Sequence, residues 1–412
     1  MTQMPSPQAC PYVLINHIQH YAWGTQNEAA FIPKLLGQPV EPNQTYAELW
    51  MGAHPKAPSR VEIDGASIAL NDWITAHPTE IMGQAAAERF DNLPFLFKLL
   101  SAGQALSIQA HPNKSQAKFL HDKDPEHYPD DNHKPEIAIA LDQLTALVGF
   151  KPLEEIHGIL DRYPEISVFM GFHTAESIAA LIQNKEQSDE DILKNIYSTL
   201  LTQSLEAPEQ LLTAIQTLKT RLQNTPMHSE ADELFLESCE IYQDADVGLF
   251  SIYLFNLVHF EKGQGVFLDA GIPHAYLKGN IVECMANSDN VIRAGLTPKF
   301  KDIETLMEMA CYEPSLRPVY QDDPEQAAFE YQAPVLEFMI TRRTVRMGDK
   351  TEQTGNQLRI VIVLEGQGSI IWNDEQLPIK KGTVLLLPAC LPSYTWQSEE
   401  KLQLYEASIP GC

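Results

Sequence analysis

The sequence predicts a mainly β protein interrupted by a helical insertion, with two β barrels and an all-α segment between them. Three observations carry this. Residues 12 to 149 are short apolar or alternating segments broken by Pro, Gly and Asn. Residues 152 to 239 change to apolar spacings of three and four, the period of a helix face. From residue 242 onward the short strand signals return.

In chain order, the first β region is read from residues 57–63, 93–100, 105–111 and 136–141. In the middle segment Ile192, Ile196 and Leu200 recur at intervals of four, and Leu211, Ile215, Leu218 and Leu222 at steps of four and three. Each set describes one apolar helix face. Ser188 stands three residues before Asp191, and Ser229 three before Asp232, the spacing of a helix-capping box. The second β region is read from residues 249–260, 265–268, 276–277 and 280–285, then 335–344, 358–364, 369–372, 382–387 and 402–405. Regular short strands with Gly and Pro punctuation suit double-sheet jelly rolls. Leu364-Glu-Gly-Gln-Gly368, Ile379-Lys-Lys-Gly382 and Leu387-Pro-Ala389 resemble the strand ends of a cupin barrel. The expected architecture is therefore two cupin-like jelly-roll barrels plus an all-α domain. Residues 1–151 with 241–324 form a discontinuous β domain, 152–240 the helical insertion, and 325–412 a C-terminal β domain.

Composition narrows the function. At 412 residues, with 44% hydrophobic and 20% charged residues, the chain has material for several cores. Lys plus Arg number 29 against 55 Asp plus Glu, a net charge of −26, so nucleic acid and anionic membranes are not expected partners. An anionic ligand needs a local basic pocket. No stretch has the anatomy of a secretory signal or a membrane span, and a cytoplasmic location is expected. Six scattered cysteines without C-x-x-C spacing suggest reduced, structural thiols.

Strand side chains alternate between faces, so residues two apart point the same way. In residues 105–111, Leu106, Ile108 and Ala110 share one face and leave Ser107, Gln109 and His111 on the other. Lys134 and Glu136 share a face if the segment is extended, which Pro135 favours by biasing its predecessor away from helix. His274 and Tyr276 pair likewise. Such polar sets are costly to bury unpaired. A metal would resolve that cost, because two imidazoles, a carboxylate and an amide oxygen suit zinc or a similar divalent ion. Satisfied core polar residues are the alternative. Lys98, Glu48 and Glu283 are charges within apolar runs, where Lys98 can also snorkel to the strand edge. Asp289 and Arg293 frame a polar stretch in which an N-cap or a surface salt bridge is the ordinary account.

Seven motifs occur in one order: Tyr21-Ala-Trp-Gly24, Ala47-Glu-Leu-Trp-Met-Gly52, Gln109-Ala-His-Pro112, Asn132-His-Lys-Pro-Glu136, Pro273-His-Ala-Tyr276, Glu283-Cys-Met285 and Ser288-Asp-Asn-Val-Ile-Arg-Ala-Gly-Leu-Thr-Pro-Lys299. Together they resemble the type I mannose-6-phosphate isomerases over almost the whole chain. The resemblance implies one zinc ion per chain, held by Gln109, His111, Glu136 and His274. It implies interconversion of D-mannose 6-phosphate and D-fructose 6-phosphate, within carbohydrate metabolism and the GDP-mannose supply for glycans.

An aldose–ketose conversion needs ring opening, proton transfer between C2 and C1, and a stabilised enediolate. The expected catalytic group is Arg293, Lys134, His133, Tyr276, Glu283 and Asp289, with the division of labour among them left open. Ser107 and Lys98 are the expected phosphate anchors, and Glu48 and Trp23 further substrate contacts. The C-terminal barrel is expected to be metal-free, since all 13 histidines lie at or before His274. The expected partner is a small sugar phosphate, and the chain is expected to be a monomer. Two rivals are an iron-dependent cupin oxygenase, disfavoured by Gln109 where a further imidazole is wanted, and a sugar-phosphate-binding regulator with a dead site, disfavoured by the full set of ligands.

Overall fold

The computed structural model describes residues 4–182, 186–242, 246–314 and 317–411. Its centre is the strand His274–Ala286, long enough to pair with several partners. On one side it runs antiparallel to Phe95–Ala102 across the whole of that strand, and Phe95–Ala102 pairs in turn with Glu48–Gly52. On the other side its C-terminal half pairs with Glu136–Ala140 and its N-terminal half with Leu144–Phe150. At its first residue His274 faces Gln109, and Ile292–Gly295 pairs with Ile108–Ala110 beyond it. The polar motifs of distant sequence positions are thus brought to one sheet.

Between Leu144–Phe150 and Phe255–Phe260 the described residues form helices and no strand. Helix Asp189–Glu206 starts at Ser188, whose hydroxyl accepts from the Asp191 amide, and it buries Ile192, Ile196 and Leu200. Helix Pro208–Gln223 buries Leu211, Ile215, Leu218 and Leu222. Ser229 and Asp232 cap each other reciprocally at the start of Glu230–Tyr242: each side chain accepts from the other's backbone amide. The run 249–260 departs from expectation, because Gly248–Leu254 is helical and only Phe255–Phe260 is extended. Every residue of that helix is buried, so no polar face exists for periodicity to reveal.

The last residues form two facing sheets. The strands Ala328–Tyr331, Met339–Val345, Leu402–Ser408, Arg359–Glu365 and Val384–Leu387 make one sheet, and its edge is the N-terminal strand Tyr12–Val13. The other holds Lys350–Thr354, Ser393–Ser398, Gln367–Trp372 and Glu375–Lys380. Alternation sorts the first sheet. Ile360, Ile362 and Ala407 join Phe97, Leu99 and Val282 in the core against the central sheet. Val361, Val363 and Leu404 pack instead with Ile370 and Trp396 of the second sheet.

Two close approaches fix the site strands. A Cβ on Gly295 would lie 2.4 Å from the Gly248 Cα, so only glycine lets Ile292–Gly295 meet that helix. Gly271 has φ +77°, its amide donates to the His111 carbonyl, and a Cβ there would lie 2.6 Å from the Met309 carbonyl oxygen. That turn delivers His274 beside His111.

Candidate metal centre and active site

His111, Glu136 and His274 are buried, and one ligand atom from each lies within 4.8 Å of the others. His111 Nδ1 is 2.9 Å from the Asn290 carbonyl and His274 Nδ1 is 2.9 Å from the Ile272 carbonyl. A carbonyl only accepts, so each Nδ1 carries a proton and each Nε2 turns inward, where a metal would meet its lone pair. There His274 Nε2 is 3.0 Å from Glu136 Oε1, and His111 Nε2 is 3.4 Å from Glu136 Oε2. His111 Nε2 has no hydrogen-bond partner among the described residues. Burial, reinforced by Lys134, pushes the His111 imidazole down to about 3, so it stays neutral. Lone pairs and a carboxylate facing one another need a cation between them, and this donor set fits a divalent ion such as zinc.

Gln109 stands between His274 and Arg293 in one row across three strands. Its amide Nε2 is 3.5 Å from His274 Nε2, and a half-turn of the carboxamide puts Oε1 there instead. Tyr276 Oη donates to Glu136 Oε1 at 3.0 Å. Burial and the carboxylates Glu136 and Glu283 push the Tyr276 phenol well up, so it remains a donor. Lys134 Nζ lies 3.8 Å from Glu136 Oε2.

A second charged group sits one step along the sheet, where Glu283 faces Lys98 in register. Lys98 Nζ is 2.5 Å from Glu283 Oε2 and 3.9 Å from Glu48 Oε1, and Trp50 Nε1 donates to Glu48 Oε2 at 2.5 Å. Burial lowers the Lys98 ammonium, but Glu283 and Glu48 more than offset this and raise it. Burial raises the Glu283 carboxyl against the opposing pull of Lys98.

The motif 288–299 builds the rim. Ser288 Oγ donates to the Asn132 carbonyl, and the Asn290 side chain donates to the carbonyls of Asp130 and Asn132, pinning the segment that leads to Lys134. Asp289 pairs with Lys56 at 2.8 Å and faces His54 Nε2 at 3.6 Å. Arg293 is partly buried and has no hydrogen-bonded or ionic partner among the described residues. Burial lowers its guanidinium from the usual range. Ser107 is partly buried just before Ile108–Ala110, and Trp23 anchors the preceding turn by accepting from the Gly103 and Gln104 amides.

His133 is not brought to this group. Its Nε2 lies 2.7 Å from Glu337 Oε1, because in an extended segment it points opposite to Lys134. Two residues absent from the expected site are present. His54 is buried beside Asp289, and Lys299 lies over the Tyr21 ring at 5.9 Å, its ammonium lowered by burial and by Arg293. Lys299 closes the longest motif, which was the available signal; His54 sits in a turn that carries none.

Comparison with known proteins agrees with this geometry. The family model for the type I phosphomannose isomerase catalytic domain matches residues 12–153. Mannose-6-phosphate isomerase of Rattus norvegicus is 38% identical over 94% of this chain and 95% of that protein. The Homo sapiens protein of that name is 37% identical with the same coverage. Among solved structures, a mutant phosphomannose isomerase from Salmonella typhimurium superposes with a TM-score of 0.84 at 32% identity, covering 96% of this chain and 98% of that one. A zinc-bound mannose 6-phosphate isomerase superposes with a TM-score of 0.82 at 32% identity and the same coverage. With more than a third of its residues shared over nearly its full length, the chain belongs to the type I phosphomannose isomerase family.

Proposed function

We propose that this protein is a zinc-dependent isomerase that interconverts D-mannose 6-phosphate and D-fructose 6-phosphate through an enediolate. The observation that carries the reading is the set of two Nε2 lone pairs and one carboxylate converging beside the unpaired Arg293 guanidinium. His111, Glu136 and His274 would hold zinc, with Gln109 through its amide oxygen. Bound zinc supplies a Lewis acid that polarises a substrate oxygen.

The other steps fall to the chain's own groups. Lys134, Tyr276, Glu283 and Asp289 surround the centre and are the candidates for ring opening and for moving the proton between C2 and C1. Glu283 suits a proton-transfer role because burial raises its carboxyl and brings its affinity for a proton closer to neutrality. Tyr276, held protonated, orients Glu136. Arg293 offers a planar fork of donors to the enediolate or the phosphate. Ser107, Lys98 and Lys299 are the phosphate-side groups, although Lys98 is already engaged by two carboxylates. Trp23 and Glu48 complete the sugar side. His133 is left outside this scheme by its pairing with Glu337.

The domain reading belongs here too. Residues 1–151 with 241–324 form a cupin-like catalytic unit, 152–240 a helical insertion, and 325–412 a second cupin-like jelly roll. Pairing of Val319–Gln321 with Gln264–Leu268 supports a boundary after residue 321, while Tyr12–Val13 crosses it to edge the C-terminal sheet. No helix among the described residues is long and apolar enough to cross a membrane. A cytoplasmic monomer acting on a small sugar phosphate fits the net charge of −26 and the basic site.

Purified protein incubated with mannose 6-phosphate should form fructose 6-phosphate, should stop when a chelator removes the metal, and should resume with added zinc. Absence of the ketose from zinc-loaded protein would refute the reading.

A further inference from the structure

The interior of the C-terminal pair of sheets is aliphatic at one end and charged at the other. On the face that carries Val361, Val363 and Leu404, the next side chains along the same strands are Arg343, Arg359 and Glu406. Glu406 is 2% exposed. Arg343 donates to both its carboxylate oxygens, at 2.8 and 3.2 Å, and Arg359 Nε stands 3.8 Å away. These residues line a cavity of about 320 Å³ with Thr341, Gln357 and Ser408. Tyr394 of the opposite sheet stands behind this charged group, outside the cavity wall. Its side chain is 2% exposed and its hydroxyl, set among Arg343, Arg359 and Glu406, has no hydrogen-bond partner of good geometry among the described residues.

The charge and donor balance of this cavity is incomplete. Two half-buried guanidinium groups face one buried carboxylate, which leaves one positive charge at the cavity wall. The only other charge lining the cavity is Glu330, which is exposed at the rim and screened by water. Each guanidinium has five N–H donors. Arg343 commits two of them to Glu406, and Arg359 commits two to the Thr354 carbonyl and the Gln357 side chain. The rest are left to a ligand or to water. Arginine forks match the geometry of planar or tetrahedral oxyanions.

We propose that this cavity is a second ligand site, separate from the isomerase centre, which binds a small oxyanion through Arg343 and Arg359. The shared chemistry is an anionic oxygen group of the phosphate or carboxylate class, with Thr341, Gln357 and Ser408 available to hydroxyls carried on the same molecule. Glu406 holds the two forks apart and aimed at the opening. The site needs no metal, and it lies on the face of the sheet opposite to the one packed against the catalytic sheet.

Calorimetric titration of the zinc-loaded full chain tests this, with orthophosphate in one arm and malonate in the other, at constant ionic strength set by chloride. Phosphate also enters a sugar-phosphate centre, so the wild type should bind two phosphates per chain. Arg343→Gln and Arg359→Gln should each bind the second at least tenfold more weakly, with kcat and KM for isomerisation unchanged. Arg359→Lys keeps the charge beside Glu406 and loses the planar fork, so it remains informative if a glutamine variant fails to fold. Whichever probe loses affinity in the variants names the ligand class. One phosphate per chain in the wild type with no malonate binding, or equal binding in wild type and both variants, would overturn the proposal.

Discussion

Lys98 Nζ lies 2.5 Å from Glu283 Oε2, and the two residues face each other in register on adjacent strands at the heart of the central sheet. Both side chains are almost wholly buried, so neither charge can turn to water. Removing Glu283 leaves Lys98 with Glu48 alone, at 3.9 Å, and breaking a buried pair costs about 3–5 kcal/mol. Glu283→Leu should therefore lower the stability of the folded chain by that order, as read by denaturant unfolding. Lys98→Met combined with Glu283→Leu should recover most of the loss. If the single variant is as stable as the wild type, the pair is not buried in solution.

The same pair sets an alkaline limit. Its carboxylate partners raise the folded Lys98 ammonium above its ordinary value of about 10.4. A raised folded value means that the contribution is present in full below the unfolded value. It falls as pH rises past that value and is lost once pH passes the folded one. The stability difference between wild type and Lys98→Met should be flat through neutral pH and shrink above about 10.4. A difference that grows with alkalinity would show that Lys98 is neutral in the fold.

The metal reading predicts a stability change as well as a change in rate. A ligand present at a thousandfold excess over its dissociation constant stabilises the folded state by about 4 kcal/mol. Chelated protein should melt at a lower temperature, and zinc should restore both the melting point and activity. His111→Ala should lose the zinc response while keeping its sheet register, since it lies beyond the end of Ile108–Ala110. Identical melting with and without zinc would remove the centre.

Much of that centre was legible because a strand has a period of two: Gln109 with His111, Lys134 with Glu136, and His274 with Tyr276 each fall on one face. The same rule, applied to His133, turns it away from Lys134, toward Glu337. What alternation cannot supply is which strands become neighbours. The pairing of Lys98 with Glu283 spans 185 residues and rests on a sheet register that no local signal encodes. The helix Gly248–Leu254 was hidden for another reason, burial on every side. His54 was hidden because its partner Asp289 is a product of tertiary folding.

Lys134 has an ammonium 3.8 Å from Glu136, one of the proposed metal ligands. Lys134→Ala should retain zinc and lose rate, by about 10²–10⁴-fold if it takes part in proton transfer. Near-normal turnover with zinc in place would shift that work to Glu283 or Asp289.

Arg293 has no hydrogen-bonded or ionic partner among the described residues, which fits the proposal that its charge serves substrate. If it stabilises the enediolate, Arg293→Ala lowers kcat with little change in KM; a phosphate anchor would mainly raise KM. The kcat effect is expected, because Arg293 stands in the same row as Gln109 and His274. Arg293→Lys should remain impaired, since lysine keeps the charge and loses the planar fork. Unchanged kinetics in both variants would remove Arg293 from the site.

If Asp289 serves the reaction as proposed, His54 would act through it, since it faces the Asp289 carboxylate. Its Nδ1 accepts from the Lys56 amide at 3.3 Å, so the proton of the neutral ring sits on Nε2, which faces the Asp289 carboxylate at 3.6 Å. Burial lowers the imidazole from its ordinary value, so the ring is a neutral donor at working pH rather than a second cation beside Lys56. The edge of Trp50, with ring centroids 4.8 Å apart, fixes its plane. Lys56 alone cannot fix the carboxylate, because its side chain is 62% exposed and surface ion pairs hold little geometry. His54 is therefore a positioning residue. His54→Leu should lower kcat by about tenfold or more with KM little changed, which is the pattern of an interaction made mainly in the transition state. His54→Gln, which can present an amide N–H to the same oxygen, should regain part of the rate. Both variants should lose comparable stability, so packing alone would not separate them. Equal kcat in the glutamine and leucine variants would reduce His54 to a packing residue beneath Trp50.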